Sequence, residues 1–542
     1  MALTAVGFSV AIRCEVRSRV MRIRGERPRG FLLAVSIIGF VRFFQQTPDS
    51  IMMAWGQEHR LQLSFLGCYL AMLAYHAWRG KRQSRNLDDY LVGGRGMGGV
   101  ITALSFYATF VSSVTFIGHA GRSYTRGPAW WLTCVTVFTL MVLISWFLVA
   151  PPLAAQARRY QALTIPEFLG HRYQSRGLRR LAGLVVILAS LAYMVAVFDG
   201  AARSLDGLLQ IQSSWLTMVV IFLVVTGYTL SGGYHSVVAT DAVQGMILFV
   251  GAVALPVAMV VRQGGLANLV TEVRRVSPTA LDWSNEMPLI TMAGLALGVG
   301  LKFIVEPRQL SRFYGLSSEH QLRRGRWLAP GLVFLTYLFM LPVGLLAHAF
   351  AAPAVFSTGG RIQTDRVVPY LLSSEVDVLG PVLGAFFLTA LAAAAMSSLD
   401  SVLLVAASSV DHDVISPGAT TAGAMRRTRC WVLVLSAVAA SLALLRLRGI
   451  VEMSSFSGAI YASCFLPALV VGLFWKRGTR SGALASLGIG LPLTVGWFYA
   501  KQLPALASLA SLHEVFLGTG VSLLVYWLVS LLTAPTSRVG PS

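Results

Sequence analysis

The chain has 542 residues, of which 55% are hydrophobic and only 12% are charged, and its mean hydropathy is +0.67. These values exclude a soluble globular domain and indicate a polytopic membrane protein. The net charge of +21 could suggest a nucleic-acid partner, but the basic residues form short clusters between apolar runs. We therefore expect no nucleic acid as partner and interpret the clusters as orientation signals in a lipid bilayer.

The N-terminal extension, residues 1–57, is the least regular part of the sequence. An arginine-rich segment precedes the apolar stretch 31–41, which is too short to span a bilayer but matches the length of a signal-peptide core. No clear small-residue cleavage site follows it. Two interpretations stay open: a targeting or additional membrane segment, or a wrongly assigned start with Met52 or Met53 as the true first residue.

A window of about 20 residues predicts about 13 apolar membrane spans. They lie at residues 61–79, 98–121, 128–151, 180–209, 213–231, 236–262, 287–306, 327–351, 378–412, 430–446, 451–474, 480–500 and 511–533. Most linkers rich in Lys and Arg follow odd-numbered spans. The positive-inside rule therefore places the C-terminus in the cytoplasm.

Two spans are predicted to be broken near the middle of the membrane. The first follows the glycine-rich segment 93–99 and carries hydroxyl side chains through 105–115. The second, 287–306, lies five spans later, where an inverted repeat places its counterpart, and is interrupted by glycines. These are Gly294, Gly298 and Gly300. Unwound backbone can line a cavity and bind cations through its carbonyls, whereas the alternative is that the small residues serve close helix packing.

A run of hydroxyls and one carboxylate, 396–401, lies inside a long apolar span in the C-terminal third of the chain. Lipid cannot solvate the Asp400 carboxylate, whose burial at a helix centre costs roughly 2.5 to 3.5 kcal/mol. Ala394, Ser397 and Ser398 are spaced to lie on one face of a helix, where they offer the oxygen ligands that a hard cation prefers. The pattern predicts a small-cation site, although serines in membrane helices also serve as interhelical hydrogen-bonding groups.

Six segments together resemble the sodium/solute symporters, a family with a LeuT-type fold that carries sugars, proline, pantothenate, sialic acid, monocarboxylates and iodide. They are 88–95 (DDYLVGGR, similar to the family's DYFLGGR), 108–118, 164–168 (TIPEF), 228–244, 306–314 and 396–401. The resemblance covers about residues 58 to 500. It implies an all-α polytopic membrane protein of LeuT-type inverted five-helix repeats with about 13 transmembrane helices.

The resemblance also implies a division of the chain. After the extension 1–57 come a leading helix and cytoplasmic linker, a first five-helix repeat, a second five-helix repeat and additional C-terminal helices. Their ranges are 58–97, 98–262, 287–446 and 451–533.

Site residues follow from the family's pattern. The resemblance implies a sodium ion, as the transported cofactor, held by the carbonyls of Ala108, Val111 and Ala394 and the side chains of Ser397 and Ser398. A second cation, found in some members, would use Asp241, Asp400 and Ser401, unless Asp241 only caps a helix. The solute is expected beside the first sodium ion, at Phe110, Ser112, Thr115 and Tyr193.

The implied function is sodium-coupled symport of a small organic solute into the cell across the cell (inner) membrane, by alternating access, and not an enzymatic reaction. Segment 108–118 looks most like sialic-acid, iodide, multivitamin and monocarboxylate carriers, which favours an organic anion or acid sugar. Glu306 and Arg308 depart from the Gln-Pro-His of proline-type carriers, which speaks against proline. Arg203 is expected to be neutralised within its own helix by Asp199 and Asp206.

Two alternatives remain. In a proton-coupled transporter of this fold the ammonium of Lys302 would fill the cation site; the favoured interpretation is that Lys302 pairs with Glu306 one turn on and snorkels towards the membrane surface. The second alternative is a membrane solute sensor, in which binding rather than flux matters.

Overall fold

The structure, a computed structural model, describes residues 55–533 except 84–86, 210–213, 284–286, 359, 374–375, 418–421 and 447. Both interpretations of the N-terminal extension concern residues 1–54 and fall outside this range. The helices that follow belong to one compact unit that begins at His59.

The described residues are almost entirely helical. Up to residue 276 the helices are Arg60–Gln83, Leu87–Val92, Gly93–Arg95, Gly99–Phe110, Val114–His119, Ala120–Ile144, Ser145–Val149, Ala150–Tyr160, Ile165–Arg172, Arg176–Leu209, Ser214–Arg262 and Leu266–Val276. From residue 289 to 443 they are Leu289–Gly300, Lys302–Val305, Pro307–Tyr314, Glu319–Gly325, Leu328–Met340, Pro342–Leu346, Ala347–Ala349, Pro353–Phe356, Thr364–Arg366, Val367–Leu371, Gly380–Ser408, Ser409–Ile415 and Ala422–Ala443. The last are Ile450–Phe465, Leu466–Val471, Gly472–Phe474, Arg480–Ala500, Pro504–Leu509 and Glu514–Leu532. A two-residue antiparallel pair, Ser357–Thr358 with Arg361–Ile362, interrupts this pattern.

Within the described part of the chain, nine helices are long and apolar enough to cross a membrane, and Gly99–Phe110 and Trp215–Leu230 are shorter apolar helices. Each predicted span contains helical structure. The number of about 13 transmembrane helices stays a prediction. Large apolar side chains such as Leu188, Val261 and Leu532 are exposed on outer faces, as expected of surfaces that contact lipid.

Glycines divide two continuous helices where the sequence predicts separate spans. Gly127 (φ 57°) lies just before Pro128 in Ala120–Ile144, and Gly233 (φ 61°) lies within Ser214–Arg262. Positive φ is sterically open to glycine and costly for other residues, so the chain can change direction at these points. The spans on either side are therefore separate segments of kinked helices.

The first broken helix consists of Gly99–Phe110 and Val114–His119. Val111 is extended (φ −72°, ψ 113°), so helical hydrogen bonding stops after Phe110, inside the predicted hydroxyl-rich region. The broken helix packs against the long helix Ser214–Arg262 and against Gly380–Ser408, which we call the serine helix. From Ala385 onward nearly all of the serine helix is buried, as expected of a helix that is apolar all round.

The second broken helix consists of Leu289–Gly300, Lys302–Val305 and Pro307–Tyr314, and its extended residue is Glu306 (φ −78°, ψ 123°). The helix is interrupted, as predicted, but at Glu306 and not at the glycines, so the predicted position of the break is wrong. A Cβ on Gly294 would lie 2.2 Å from the Cβ of His513, and one on Gly298 would lie 2.1 Å from the Ser455 hydroxyl. These glycines serve close packing, which was the alternative interpretation.

Candidate functional site

The predicted first cation site joins the first broken helix to the serine helix. The hydroxyl of Ser397 donates to the Ala108 carbonyl at 2.9 Å and lies 3.4 Å from the Ala394 carbonyl. The hydroxyl of Ser398 donates to the carbonyl of Thr109 at 3.0 Å. All of these residues are fully buried, so the two serines meet the end of the broken helix away from lipid and bulk water.

The sequence interpretation missed Thr109 at this site. Val111, a predicted ligand, lies at the helix break, and no hydrogen bond joins it to either serine in the described part of the chain. Thr109 lies between predicted ligands and carries a hydroxyl inside a membrane helix, which was the available signal. The carbonyl of Thr109 also accepts from Arg308 Nη1 at 2.5 Å. Backbone oxygens released by the break are thus already held by hydroxyl and guanidinium donors.

The predicted second cation residues lie close together, but a guanidinium lies among them. Arg312 Nη2 donates to Asp241 Oδ2 at 3.0 Å and to the hydroxyl of Ser401. The Asp241 carboxylate is fully buried within Ser214–Arg262 and also accepts from Ser105 at 2.7 Å. The interpretation of Asp241 as a helix cap is therefore wrong. The carboxylate of Asp400 accepts instead from Tyr228 at 2.8 Å and from Ser401 at 3.1 Å.

The four predicted solute residues line one central cavity of about 210 Å³. Phe110, Ser112 and Thr115 come from the first broken helix, and Tyr193 comes from Arg176–Leu209. Sequence interpretation missed the remaining lining residues, Val114, His119, Val299, Lys302, Arg308, Tyr337 and Ser454.

Two cationic side chains line this cavity, one from the segment before the extended Glu306 and one from the segment after it. The ammonium of Lys302 lies 4.0 Å from the centre of the Tyr193 ring and donates to Ser454 at 3.0 Å. The guanidinium of Arg308 lies 4.1 Å from the same ring centre and pairs with Glu306 at 2.7 Å. Lys302 and Arg308 are each 1% exposed.

Neither interpretation of Lys302, as a snorkelling partner of Glu306 or as the occupant of the cation site, matches this geometry. The Glu306 amide donates to the Lys302 carbonyl at 3.0 Å, so the helical turn between them is kept, yet no ion pair joins their side chains among the described residues. Glu306 pairs with Arg308 instead, and a buried lysine does not snorkel. The ammonium also contacts Ser454 rather than Ser397 or Ser398, so it does not fill the predicted cation site.

Polar groups surround the rest of the cavity. The hydroxyls of Thr115 and Tyr337 lie 2.9 Å apart, and His119 Nε2 is buried without a hydrogen-bond partner. The lining residues include three cationic or potentially cationic groups and contain neither Asp nor Glu. The cavity therefore offers donors and positive charge to whatever occupies it.

The TIPEF segment forms a capped helix start that is tied to Ser409–Ile415, the helix that follows the serine helix. The Thr164 hydroxyl accepts from the Glu167 amide at 3.1 Å, and the Glu167 carboxylate accepts from the Leu163 amide, as in a capping box. Arg179 joins Glu167 at 3.1 Å to Asp413 at 2.9 Å. Burial alone would raise the pKa of Glu167, but histidine hydrogen bonds and the charge of Arg179 hold that pKa below its ordinary value.

Arg203 behaves as predicted, because its guanidinium pairs with Asp199 one turn earlier, at 3.0 Å. It is thus neutralised within its helix and lies outside the set of residues that line the central cavity.

An apolar helical bundle in which two broken helices face each other across a small, polar, enclosed cavity defines a secondary active transporter. Comparison with known proteins gives the family. The chain belongs to the Sodium:solute symporter family, whose sequence profile matches residues 90–490. This membership confirms the resemblance, sodium-coupled symport of a small solute as the activity class, a multi-pass membrane location and the absence of an enzymatic role.

Curated relatives are similar along nearly their whole length. The chain is 28% identical over 481 residues to the high-affinity proline transporter PutP of Bacillus subtilis, covering 87% of this chain and 97% of that protein. It is 29% identical over 485 residues to the sodium/proline symporter of Staphylococcus aureus, covering 86% and 92%.

A solved structure of a Na⁺-coupled sialic acid symporter, in a substrate-bound outward-open state, superposes with a TM-score of 0.73 at 19% identity. The superposition covers 89% of this chain and 99% of the sialic acid symporter chain. The likeness confirms the predicted LeuT-type, all-α membrane fold.

Proposed function

We propose that the protein couples one sodium ion at the Ala108–Ser397–Ser398 site to the import of a small organic anion held in the central cavity. Alternating access moves both into the cell, with the C-terminus in the cytoplasm. The two halves that rock against each other correspond to the repeats 98–262 and 287–446, between the leading segment 58–97 and the C-terminal helices 451–533.

One observation carries the choice of an anion: Lys302 and Arg308 flank the ring of Tyr193, and both line a cavity with no acidic residue among the described residues of its wall. Glu306 neutralises one of these two charges, which leaves about one positive charge for the occupant. A carboxylate can accept charge-assisted hydrogen bonds from these donors, which are roughly twice as strong as neutral ones.

Proline is the second candidate, because the curated relatives above are proline transporters. Its carboxylate fits the same two cations. Its ammonium, however, would be brought near Lys302 and Arg308 with no acidic lining residue to receive it, which makes a simple monocarboxylate the better match.

The test uses protein reconstituted in proteoliposomes with an inward sodium gradient, and measures uptake of labelled acetate, lactate, pyruvate and proline. We expect sodium-dependent uptake of a monocarboxylate. Lys302→Met should raise its KM roughly 10- to 100-fold, since a hydrogen bond to a charged group is worth about 1.5 to 3 kcal/mol and 1.4 kcal/mol is tenfold.

The matched control is Lys302→Arg, which retains the charge and should keep a KM within a few-fold of wild type. Sodium-dependent proline uptake that is insensitive to Lys302→Met, with no uptake of the three monocarboxylates, would reject the anion assignment and favour the zwitterion.

A further inference from the structure

Arg312 lies among the residues predicted to bind a second cation. This group of residues is separate from those that line the central cavity. One nitrogen, Nη2, is within hydrogen-bonding distance of three oxygens from three different helices. They belong to Asp241 (3.0 Å), Thr109 (3.0 Å) and Ser401. The side chain is 2% exposed and Asp241 is fully buried.

A convergence of carboxylate and hydroxyl oxygens from separate helices is the environment that a hard cation needs. Here the positive charge is supplied by the protein itself. A sodium ion bound to the same oxygens would lie about one hydrogen-bond length from the guanidinium nitrogen, so the two positive charges exclude one another.

We propose that the Arg312 guanidinium is a tethered substitute for the second transported cation, so that this chain binds a single sodium ion per transport cycle. The inference rests on the proposed function only in taking the Ser397–Ser398 site as the first sodium site. With a monovalent anion as solute, the cycle carries no net charge.

The position of Arg312 explains how the substitute can stay in place. It follows Arg308 by four residues on Pro307–Tyr314, and both guanidinium groups reach Thr109, one through the hydroxyl and one through the carbonyl. Arg312 and Ser401 also line a second cavity of about 410 Å³, next to Thr164 and Ser408. Arginine keeps its proton at every accessible pH, so its charge is permanent.

The experiment counts sodium ions bound per purified protein, with ²²Na⁺ alone as the probe, at saturating sodium in detergent. Wild type should bind one ion. Arg312→Met should bind two, because the Asp241 carboxylate and its hydroxyl neighbours become free to hold the second. Arg312→Lys keeps the charge and should bind one.

Two further variants locate the ions. Arg312→Met with Ser398→Ala should bind one of its two ions roughly 10- to 100-fold more weakly than Arg312→Met does and keep the affinity for the new ion. Arg312→Met with Asp241→Asn, which removes both charges of the pair, should return to one ion. The double neutral variant also provides a folded reference, since it removes both partners of the Asp241–Arg312 ion pair and strands neither of them.

A wild-type count of two sodium ions overturns the inference while leaving sodium coupling intact. A count of one in a folded Arg312→Met protein overturns it equally. A wild-type count of zero rejects sodium coupling itself, so the two failures are distinguishable without any variant.

Discussion

Replacing Ser398 with alanine removes the hydroxyl that donates to the Thr109 carbonyl at 3.0 Å, and with it one of the two side-chain oxygens proposed to bind sodium. A hydrogen-bonding group that acts on a charge is worth about 1.5 to 3 kcal/mol, and 1.4 kcal/mol changes an equilibrium constant tenfold. We therefore expect the Kd for sodium to rise roughly 10- to 100-fold. Ser397→Ala should have a similar effect, because its hydroxyl also faces backbone carbonyls of the site.

The assay is a sodium titration at constant ionic strength, with potassium as replacement, that follows the intrinsic fluorescence of the chain's 12 tryptophans. The control is Ser436→Ala, which removes an equally buried serine hydroxyl that lies 2.8 Å from the Thr226 hydroxyl. That variant should lose some thermal stability and keep the wild-type Kd. If Ser398→Ala also keeps the wild-type Kd, or if the control Ser436→Ala weakens sodium binding as much as Ser398→Ala does, the reasoning about this site is refuted.

A further prediction concerns packing. Gly458→Ala should lower the melting temperature in detergent, because its Cβ would lie 1.7 Å from the Gly298 carbonyl oxygen, whereas Gly496→Ala, with nothing within 4 Å, should not. Equal melting temperatures for the two variants would contradict the packing argument.

The helices and the serine face could be predicted because they depend on local periodicity. Apolar runs of about 20 residues mark membrane helices whatever surrounds them. Ala394, Ser397 and Ser398 share a face because of helix geometry alone, and the structure brings that face to the Ala108 carbonyl as expected. The solute residues were predicted from the resemblance to the symporter family rather than from periodicity, and the structure places Phe110, Ser112 and Thr115 in the wall of one cavity.

The cationic residues of the site could not be placed in the same way. The partner expected for Lys302 was wrong because Arg308, on the helix segment that follows the extended Glu306, pairs with the Glu306 carboxylate at 2.7 Å. The position of Arg312 depends on a long side chain that reaches oxygens on three other helices, including Asp241 71 residues away in sequence. Sequence spacing does not encode such tertiary proximity, although an arginine within a membrane-buried segment was itself a functional signal.

Thr109 connects the proposed sodium site to the proposed solute site through a single peptide group. Its carbonyl oxygen accepts from Ser398 on the sodium side and from Arg308 on the solute side. A sodium ion that draws the serine hydroxyl towards itself removes one of these two donors from the carbonyl, which then interacts more strongly with the guanidinium that faces the cavity. The proposal therefore predicts that sodium and anion binding are coupled by a shared acceptor, and by linkage each would change the affinity of the other by the same factor. Thr109→Ala, which removes only the hydroxyl and keeps the carbonyl, should preserve that coupling.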